Sequence, residues 1–376
     1  MAFLSTNAEV GDMTETLVST SFRLLASLLL RPPATVEVLP GDASTWISDG
    51  AESPHSPFLL MENNLGVPEK ELRRSYLFAV HVFAAARKVS GLHTFQNAST
   101  LTMTPAIQDI IDSSAVLILM NPAHQTALNA RKRLVERNLI NVGQELKFTA
   151  ALLSSKHCCK QAELWYHRRW IFRRIYPIPT SPQGSIADIA PDSTNFYLLP
   201  NDLSVEISLV IRACELYPRN YFGWMHRTIC IKSIIASAMH FITSDVFVEI
   251  VTKEILDVTQ WIESHISDYS AVHHLKTLAY LVDEMECTFL PDNLQHLLSP
   301  IGHALMLVRA FPGHETLWQY LRLFWDEGDV TAAFIASFVA PLQSTGMVDE
   351  GNEYRECFSA AQHARHFLEW RNQRLR

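Results

Sequence analysis

The stretch ELWYHRRWIFRR, residues 163–174, decides the fold of this chain. Within it, Trp165 and Arg168 stand three residues apart. Positions i and i+3 lie on the same side of a helix, so the indole and the guanidinium share one face. The indole can fill the space between two paired helices. The guanidinium beside it can bond a carboxylate or the carbonyls of a neighbouring helix, or stack on an aromatic ring.

The same pattern recurs along the chain, with an aromatic or apolar anchor at residues 128, 165, 224, 272 and 318. The spacings between these anchors are 37, 59, 48 and 46 residues, and the longest one contains a segment rich in Pro, Ser and Asp. A helical pattern that repeats at such a period is typical of stacked helical hairpins. The sequence therefore predicts an all-α fold built from helical repeats.

The positions that recur in these copies are predicted to pack the hairpins together and to carry no chemistry of their own. They are Asn129, Arg131, Trp165, His167, Arg168, Trp224, His226, Arg227, Trp318 and Arg322. The fourth copy departs from the pattern, because Val272 and Leu275 stand in the Trp and Arg positions. In the fifth copy Leu321 takes the basic position, and Arg322 follows it by one residue.

Two segments are expected along the chain. Residues 1–65 are predicted to form a helical arm and then an irregular loop over 31–65, because five prolines stand there among Gly, Ser and Asp. Residues 66–376 are predicted to form a single helical-repeat domain, with a loop inserted at 177–200. The repeats are expected near 117–134, 160–175, 217–232, 266–281 and 311–326.

Composition narrows the class of protein. The chain has 376 residues, of which 48% are hydrophobic, and this is enough apolar material for a substantial core. Its formal charge of −8 lacks the broad positive field that attracts nucleic acid. Six cysteines without a C-x-x-C pair disfavour a zinc ribbon and suit a reducing compartment. We expect a cytoplasmic protein with no signal peptide, transmembrane segment or nucleic-acid partner.

Several copies of Pro-x5-Trp-x-x-Arg in series resemble the protein prenyltransferase alpha-subunit repeat family, over about residues 117–325. The resemblance implies a right-handed superhelical crescent of helical hairpins that wraps around a separate beta subunit, expected to be of the Rab type. It implies that the beta subunit holds the zinc ion and most of the isoprenoid and peptide pocket. By this resemblance the present chain binds no cofactor and is inactive alone.

The resemblance also supplies candidate site residues. Lys160 stands five residues before Trp165, where the family has a lysine that reaches the isoprenoid diphosphate. Asn220 and Tyr221 match an Asn-Tyr pair that lies near the substrates in the family. Lys160 and Tyr221 are thus predicted to be catalytic and Asn220 to bind substrate. The positions around Lys160 depart from the family pattern: Cys159, Gln161 and Ala162 replace Pro, Asn and Tyr.

Each candidate has a structural alternative. Lys160 has the alternative of a solvated lysine at a helix start, Asn220 that of a helix N-cap, and Tyr221 that of a packing residue. His157-Cys158-Cys159 is not expected to bind a metal, since adjacent ligands rarely close a tetrahedral site.

The resulting hypothesis is an alpha-type, non-zinc-binding subunit of a heterodimeric protein prenyltransferase. Such a subunit supports the transfer of an isoprenyl group, expected to be geranylgeranyl, from its diphosphate to the thiol of a cysteine-tailed protein. The alternative is a helical-repeat interaction scaffold without transferase activity.

Overall fold

The computed structural model describes residues 3–42, 53–90, 102–177, 196–241, 244–284, 300–325, 334–335, 337–338 and 352–374. These residues are mostly helical with one small sheet, so the prediction of an all-α helical-repeat fold is confirmed. The chain divides into two compact units, residues 1–226 and residues 227–376.

The first unit contains eight complete helices among its described residues. They are α1 (Phe3–Leu30), α2 (Glu69–Val89), α3 (Pro105–Met120), α4 (Gln125–Glu136), α5 (Val142–Leu153), α6 (Lys156–Cys159), α7 (Ala162–Ile175) and α8 (Pro200–Leu216). Helix α9 (Tyr221–Phe241) begins in this unit and ends in the next one. The described helices that follow are α10 (Ser244–Ser264), α11 (Tyr269–Glu284), α12 (Ile301–Ala310), α13 (Glu315–Phe324) and α14 (Asn352–Arg374).

Capping residues explain where several of these helices begin. The Thr104 hydroxyl accepts a hydrogen bond from the Ile107 amide at the start of α3, where Pro105 occupies the first turn. The Asn141 side chain accepts hydrogen bonds from two amides at the start of α5. Neighbouring helices then pair as hairpins, with α3 against α4, α5 against α7, α10 against α11, and α12 against α13.

A three-stranded sheet lies where an irregular loop over 31–65 was predicted, and that prediction is wrong for the described residues. The strands are β1 (Thr35–Leu39), β2 (Leu59–Met61) and β3 (Asn64–Pro68), in the order β1-β3-β2. Strand β3 pairs in parallel with β1 and antiparallel with β2. Glu62 and Asn63 turn the β2–β3 hairpin with φ angles of 49° and 64°. The prolines bound these short strands and do not interrupt them.

The described part of the first 65 residues packs within the first unit. Helix α1 packs against α2 and α3, and it buries Phe22, Leu25 and Leu29. Its Arg23 also forms ion pairs with two aspartates of α3. Apolar surface and ion pairs thus join described residues on the two sides of residue 65, and the predicted domain boundary there stays a prediction. The division falls at 226/227, inside the repeat predicted at 217–232.

The predicted repeats all coincide with described helices, whereas most of the predicted loop at 177–200 lies outside the described residues. Its two ends are described, and Pro177 forms a β-bridge with Phe196. The superhelical crescent stays a prediction. In the part of the chain that the structure covers, no helix has both the length and the apolar character needed to cross a bilayer.

Candidate functional site

The tryptophans of the repeat are buried. Trp165, Trp224 and Trp318 expose no more than 3% of their surface. The indole N–H of Trp165 donates to the carbonyl of Cys159, and that of Trp318 donates to the carbonyl of Pro312, both at 2.8 Å. In each case the acceptor lies six residues before the indole, so the bond ties the helix to the turn that precedes it. All three indoles are therefore buried, as a packing role requires.

Beside the buried tryptophans lies a first group of buried ionisable side chains, Arg131, Glu145 and His167, which we call cluster 1. The Nε of Arg131 donates to both carboxylate oxygens of Glu145, at 2.9 and 3.1 Å. The Nε2 of His167 lies 2.8 Å from Oε1 of the same carboxylate. All three side chains are at least 99% buried. Cluster 1 therefore joins helices α4, α5 and α7 through one carboxylate.

Cluster 2 repeats this arrangement one hairpin further along the first unit, with Arg168, Glu206 and His226. The Nε of Arg168 donates to Oε2 of Glu206 at 2.7 Å, and Nη2 donates to Oε1 at 2.5 Å. The Nε2 of His226 lies 2.8 Å from Oε2. The three side chains expose 2% or less. They join α7, α8 and α9.

Cluster 3 lies within the second unit and consists of Arg227, Glu254 and His274. The Nε and Nη2 of Arg227 donate to the two oxygens of Glu254 at 2.7 and 2.9 Å. The Nε2 of His274 lies 2.7 Å from Oε1 of Glu254, and its Nδ1 lies 2.7 Å from the hydroxyl of Thr228. This cluster joins α9, α10 and α11, and it gives the degenerate fourth repeat a buried histidine.

The clusters follow a rule that reasoning on the sequence missed. Each glutamate accepts from the arginine of one repeat and from the histidine of the next. The glutamate stands 22, 20 and 20 residues before its histidine in clusters 1, 2 and 3. That similar separation was the available signal for the three glutamates and for His274.

The carboxylates of these clusters are ionised and their histidines are neutral. Burial alone would raise the pKa of Glu206, but the charge of Arg168 and the hydrogen bonds from Arg168 and His226 lower that pKa to about 2. Glu145 and Glu254 respond in the same way, each with a pKa of about 2. Burial lowers the pKa of the three histidines, against the pull of the carboxylates. Since an ionised carboxylate only accepts, each neutral histidine carries its proton on Nε2.

Two of the arginines also bond the first helix of their own hairpin. Arg168 Nη1 donates to the carbonyl of Leu146 at 2.7 Å and to the hydroxyl of Thr149 at 2.8 Å. Arg131 Nη1 makes the equivalent pair of bonds to a carbonyl and a serine hydroxyl of α3. With the ion pairs they satisfy the guanidinium groups, so the clusters have the character of a structural network and not of a reaction centre.

The candidate lysine lies elsewhere, on the surface of the first unit. Lys160 is exposed at the end of α6 and lines a cleft of about 440 Å³, which we call the Lys160 cleft. Two further cations, Lys156 and Arg212, line the same cleft, whereas Glu37 of β1 is the one carboxylate among its lining residues. His157 also lines the cleft, and its Nε2 lies 2.9 Å from the carbonyl of Met120. The excess of positive charge fits an anionic ligand.

The two thiols that precede Lys160 are buried. Burial raises the pKa of Cys158 to about 12 and that of Cys159 to about 11. Both thiols therefore keep their protons at neutral pH, and a thiolate is the form that binds a metal or attacks carbon.

Asn220 and Tyr221 have different surroundings from Lys160. Asn220 is buried, and its side-chain oxygen accepts from the Gly223 amide, so it is the N-cap of α9. Its amide nitrogen donates to the carbonyl of Cys159 at 3.0 Å, the same oxygen that accepts from Trp165. Tyr221 is 56% exposed and does not line the Lys160 cleft. The structure thus brings Asn220 to the backbone beside Lys160 without bringing Tyr221 into the cleft.

Two predicted packing residues stand outside the buried network. Asn129 is exposed on α4. Arg322 is half-buried, and its guanidinium stacks on Trp370 at 5.7 Å from the ring centre. Leu321, at the position that the arginines occupy in earlier repeats, is fully buried.

Comparisons with known proteins agree with the repeat pattern. The family model for the protein prenyltransferase alpha subunit repeat matches residues 203–234, which span α8 and the first part of α9. The chain is 28% identical over 293 residues to protein prenyltransferase alpha subunit repeat-containing protein 1 of Danio rerio, covering 71% of this chain and 63% of the relative. It is 26% identical over 248 residues to the Homo sapiens protein of the same name, covering 57% of this chain and 58% of the relative.

A third relative, protein prenyltransferase alpha subunit repeat-containing protein 1-B of Xenopus laevis, is 26% identical over 300 residues, covering 71% of this chain and 63% of the relative. The chain therefore spans about three fifths of the length of the curated relatives it matches. The resemblance to the prenyltransferase alpha-subunit repeat family, first seen in the spacing of Trp and Arg, is confirmed by these matches.

Proposed function

We propose that this chain is the alpha-type, non-zinc-binding subunit of a heterodimeric protein prenyltransferase in the cytoplasm. Its partner is a beta subunit, of the Rab type in this proposal. The complex transfers an isoprenyl group, geranylgeranyl in this proposal, to a cysteine-tailed protein. The observation that carries the proposal is the Lys160 cleft, where three cations surround a surface recess on the repeat that corresponds to the family's lysine-bearing repeat.

The chemistry explains why cations would be useful at this place. In prenyl transfer the sulfur of a cysteine thiolate attacks C1 of the isoprenoid, and the C1–O bond breaks with its electron pair going to the diphosphate. Negative charge therefore grows on the leaving group, and ammonium or guanidinium groups placed beforehand stabilise it. Lys160 would make this contact, with Lys156 and Arg212 on the same wall. A zinc ion that lowers the pKa of the substrate thiol would belong to the beta subunit.

The direct test is to co-express the chain with a Rab-type beta subunit and to measure geranylgeranyl transfer to a cysteine-tailed protein. We expect Lys160→Ala to lower kcat about 10²-fold, the size of effect seen when one preorganised electrostatic partner is removed. Lys253→Ala is the matched control, because Lys253 is an exposed lysine of the second unit. The heterodimer should form equally well with both variants. Failure of the chain to bind any beta subunit would contradict the proposal.

The second candidate is a helical-repeat interaction scaffold without transferase activity. It is favoured because neither tyrosine position of the family supplies a phenol to the cleft: Ala162 replaces one tyrosine, and Tyr221 does not line the cleft, whose lining phenol is Tyr217. A stable complex in which Lys160→Ala leaves transfer unchanged, or in which no transfer occurs, would support the scaffold.

A further inference from the structure

Helices α4 and α7 present a cation-rich surface around Trp170, separate from the Lys160 cleft. We call it the Trp170 face and define it by Lys132, Glu136, Trp170, Arg173 and Arg174. The ammonium of Lys132 lies 5.6 Å from the centre of the Trp170 ring, and the guanidinium of Arg174 lies 5.1 Å from it. His167 of cluster 1 stacks on the same ring at 5.8 Å, with an interplanar angle of 12°. The indole is thus held in a fixed position between cations and the core.

The sign of the charge here is opposite to that of the whole chain. The Trp170 face contains three cations and one carboxylate, whereas the chain has a net charge of −8. The carboxylate, Glu136, already pairs with Arg174 at 2.7 Å on the exposed surface. Arg169 stacks on Tyr166 at 4.5 Å, so a second aromatic ring, 38% exposed, extends the face.

Two cations of this face are held close to each other at a half-buried position. Burial lowers the pKa of Lys132, and the positive charge of Arg173 lowers it further, against the weaker pull of Glu136. In the isolated chain this arrangement is unfavourable, because a partly desolvated ammonium has a like charge as its neighbour. An approaching anion would relieve the repulsion and would gain from the desolvation.

We propose that the Trp170 face is a docking surface for an acidic segment of a partner protein, whose carboxylates pair with Lys132, Arg173 and Arg174 while an apolar side chain rests on Trp170. Arginine and tryptophan are the residues that most often dominate protein–protein interfaces. A short acidic segment interacts mainly with the nearby cations, since charges are screened beyond about 8 Å at physiological ionic strength. An extended polyanion would also meet the negative charge of the rest of the chain. The proposal does not rest on the transferase function.

The test uses the full chain and a fluorescent synthetic peptide of twelve Asp and Glu residues with one central Leu, followed by anisotropy. We expect binding that weakens with added salt. Lys132→Met, which keeps the apolar stem and removes the charge, should weaken binding about fivefold, in line with the loss of one partly desolvated charge pair. The same substitution should leave the melting temperature unchanged or raise it, because the repulsion from Arg173 is gone. Lys253→Met, on an exposed part of α10, is the control and should change neither quantity.

Three outcomes would contradict the proposal. If Lys132→Met lowers the melting temperature together with the affinity, the lysine is a structural residue and the proposal is wrong. If phosphatidylserine vesicles or a single-stranded oligonucleotide bind more tightly than the peptide in a Lys132-dependent manner, the partner is not an acidic protein segment. If the peptide does not bind at low salt, the face is not a docking surface.

Discussion

The hairpin around Trp165 and the hairpin around Trp318 have the same tryptophan bond and different neighbours. In both, the indole N–H donates to the carbonyl six residues earlier at 2.8 Å. Beside Trp165 lies cluster 2, with a buried arginine, carboxylate and histidine. Beside Trp318 the arginine position holds Leu321 and the histidine position holds Tyr320, whose hydroxyl lies 3.1 Å from Nδ1 of His303. One hairpin buries three ionisable groups where the other buries hydrocarbon and a phenol.

This difference separates the contribution of the indole hydrogen bond from the contribution of the buried ionic cluster. The indole and its carbonyl are common to both hairpins, so they are the part that the hairpin requires. The ionic cluster is dispensable for packing, and burying it gains little net free energy because desolvation opposes the ion pair. A cluster instead fixes which three helices meet, since its hydrogen bonds are satisfied only by one arrangement. We therefore expect the clusters to determine which helices pack together. We expect the indole to hold each helix against the turn that precedes it.

The largest expected effect comes from breaking cluster 2 at its carboxylate. Glu206→Ala should destabilise the first unit by about 3–5 kcal/mol, because it leaves the guanidinium of Arg168 buried without its counter-ion. The measurement is urea unfolding followed by circular dichroism. Replacing the whole cluster at once (Arg168→Met, Glu206→Leu and His226→Phe) should cost much less than the single change. If the triple variant is less stable than Glu206→Ala, the ion pair contributes net stability. That result would contradict the expectation that desolvation offsets the gain from the ion pair.

The converse change introduces a charge where the Trp318 hairpin has none. Leu321→Arg should destabilise the second unit by about 3 kcal/mol or more, since a fully buried position receives a cation without a counter-ion. Leu323→Arg is the matched control, because Leu323 is exposed on the same helix and should tolerate the charge. Denaturant unfolding of both variants measures the difference. Equal stability of the two variants would show that the buried position is not selective against charge.

A smaller loss of stability is expected from changing the tryptophan, which both hairpins share. Trp165→Phe and Trp318→Phe should each cost about 1–2 kcal/mol, because each loses one buried hydrogen bond and some packing volume. The two costs should agree within about 0.5 kcal/mol, despite the different neighbours. A much smaller cost at Trp318 would mean that the tryptophan bond depends on the ionic cluster beside it.

The smallest expected effect is a dependence of stability on pH. The histidine of cluster 2 has a lowered pKa in the folded chain, so the unfolded chain takes up its proton more readily. Stability should therefore be fully present above the ordinary pKa of 6.5 and should fall as the pH drops below it. The loss is bounded at about 1.4 kcal/mol per pH unit for each histidine. Below about pH 4.5 the carboxylate of Glu206, with its pKa of about 2, adds a second loss in the same direction.

Chemical unfolding of the wild type and of His226→Gln at pH 7.5 and pH 5.5 measures the histidine contribution. The glutamine can still donate to Glu206 but does not titrate, so the variant should lose less stability between the two pH values. An equal loss in both proteins would assign the pH dependence to other groups.

Much of the fold could be predicted from the spacing of Trp and Arg, because that spacing has a direct geometric meaning on a helix. The sheet could not, since its strands are three to five residues long and the prolines that flank them look like loop residues. The glutamates of the clusters were missed for another reason. They lie in the other helix of each hairpin, 20 or 22 residues from their histidines, and no motif within one helix includes them.

The candidate site was predicted in part. Lys160 was predicted from its match to the family's lysine, five residues before Trp165, and stays a prediction; the fold brings Lys156 and Arg212 to the same cleft. Arg212 comes from α8, more than fifty residues away, so nothing in the local sequence links it to Lys160. Asn220 was predicted as a substrate ligand, and its side chain is bonded to the backbone on both ends.

The carbonyl of Cys159 accepts one hydrogen bond from Trp165 and another from Asn220, and it belongs to the peptide unit that leads into Lys160. Both lone pairs of that oxygen are therefore occupied, which restrains the main chain that leads into the lysine. An Asn220→Ala change, 61 residues from Cys159, would remove one of these two bonds and so loosen the main chain from which the lysine extends.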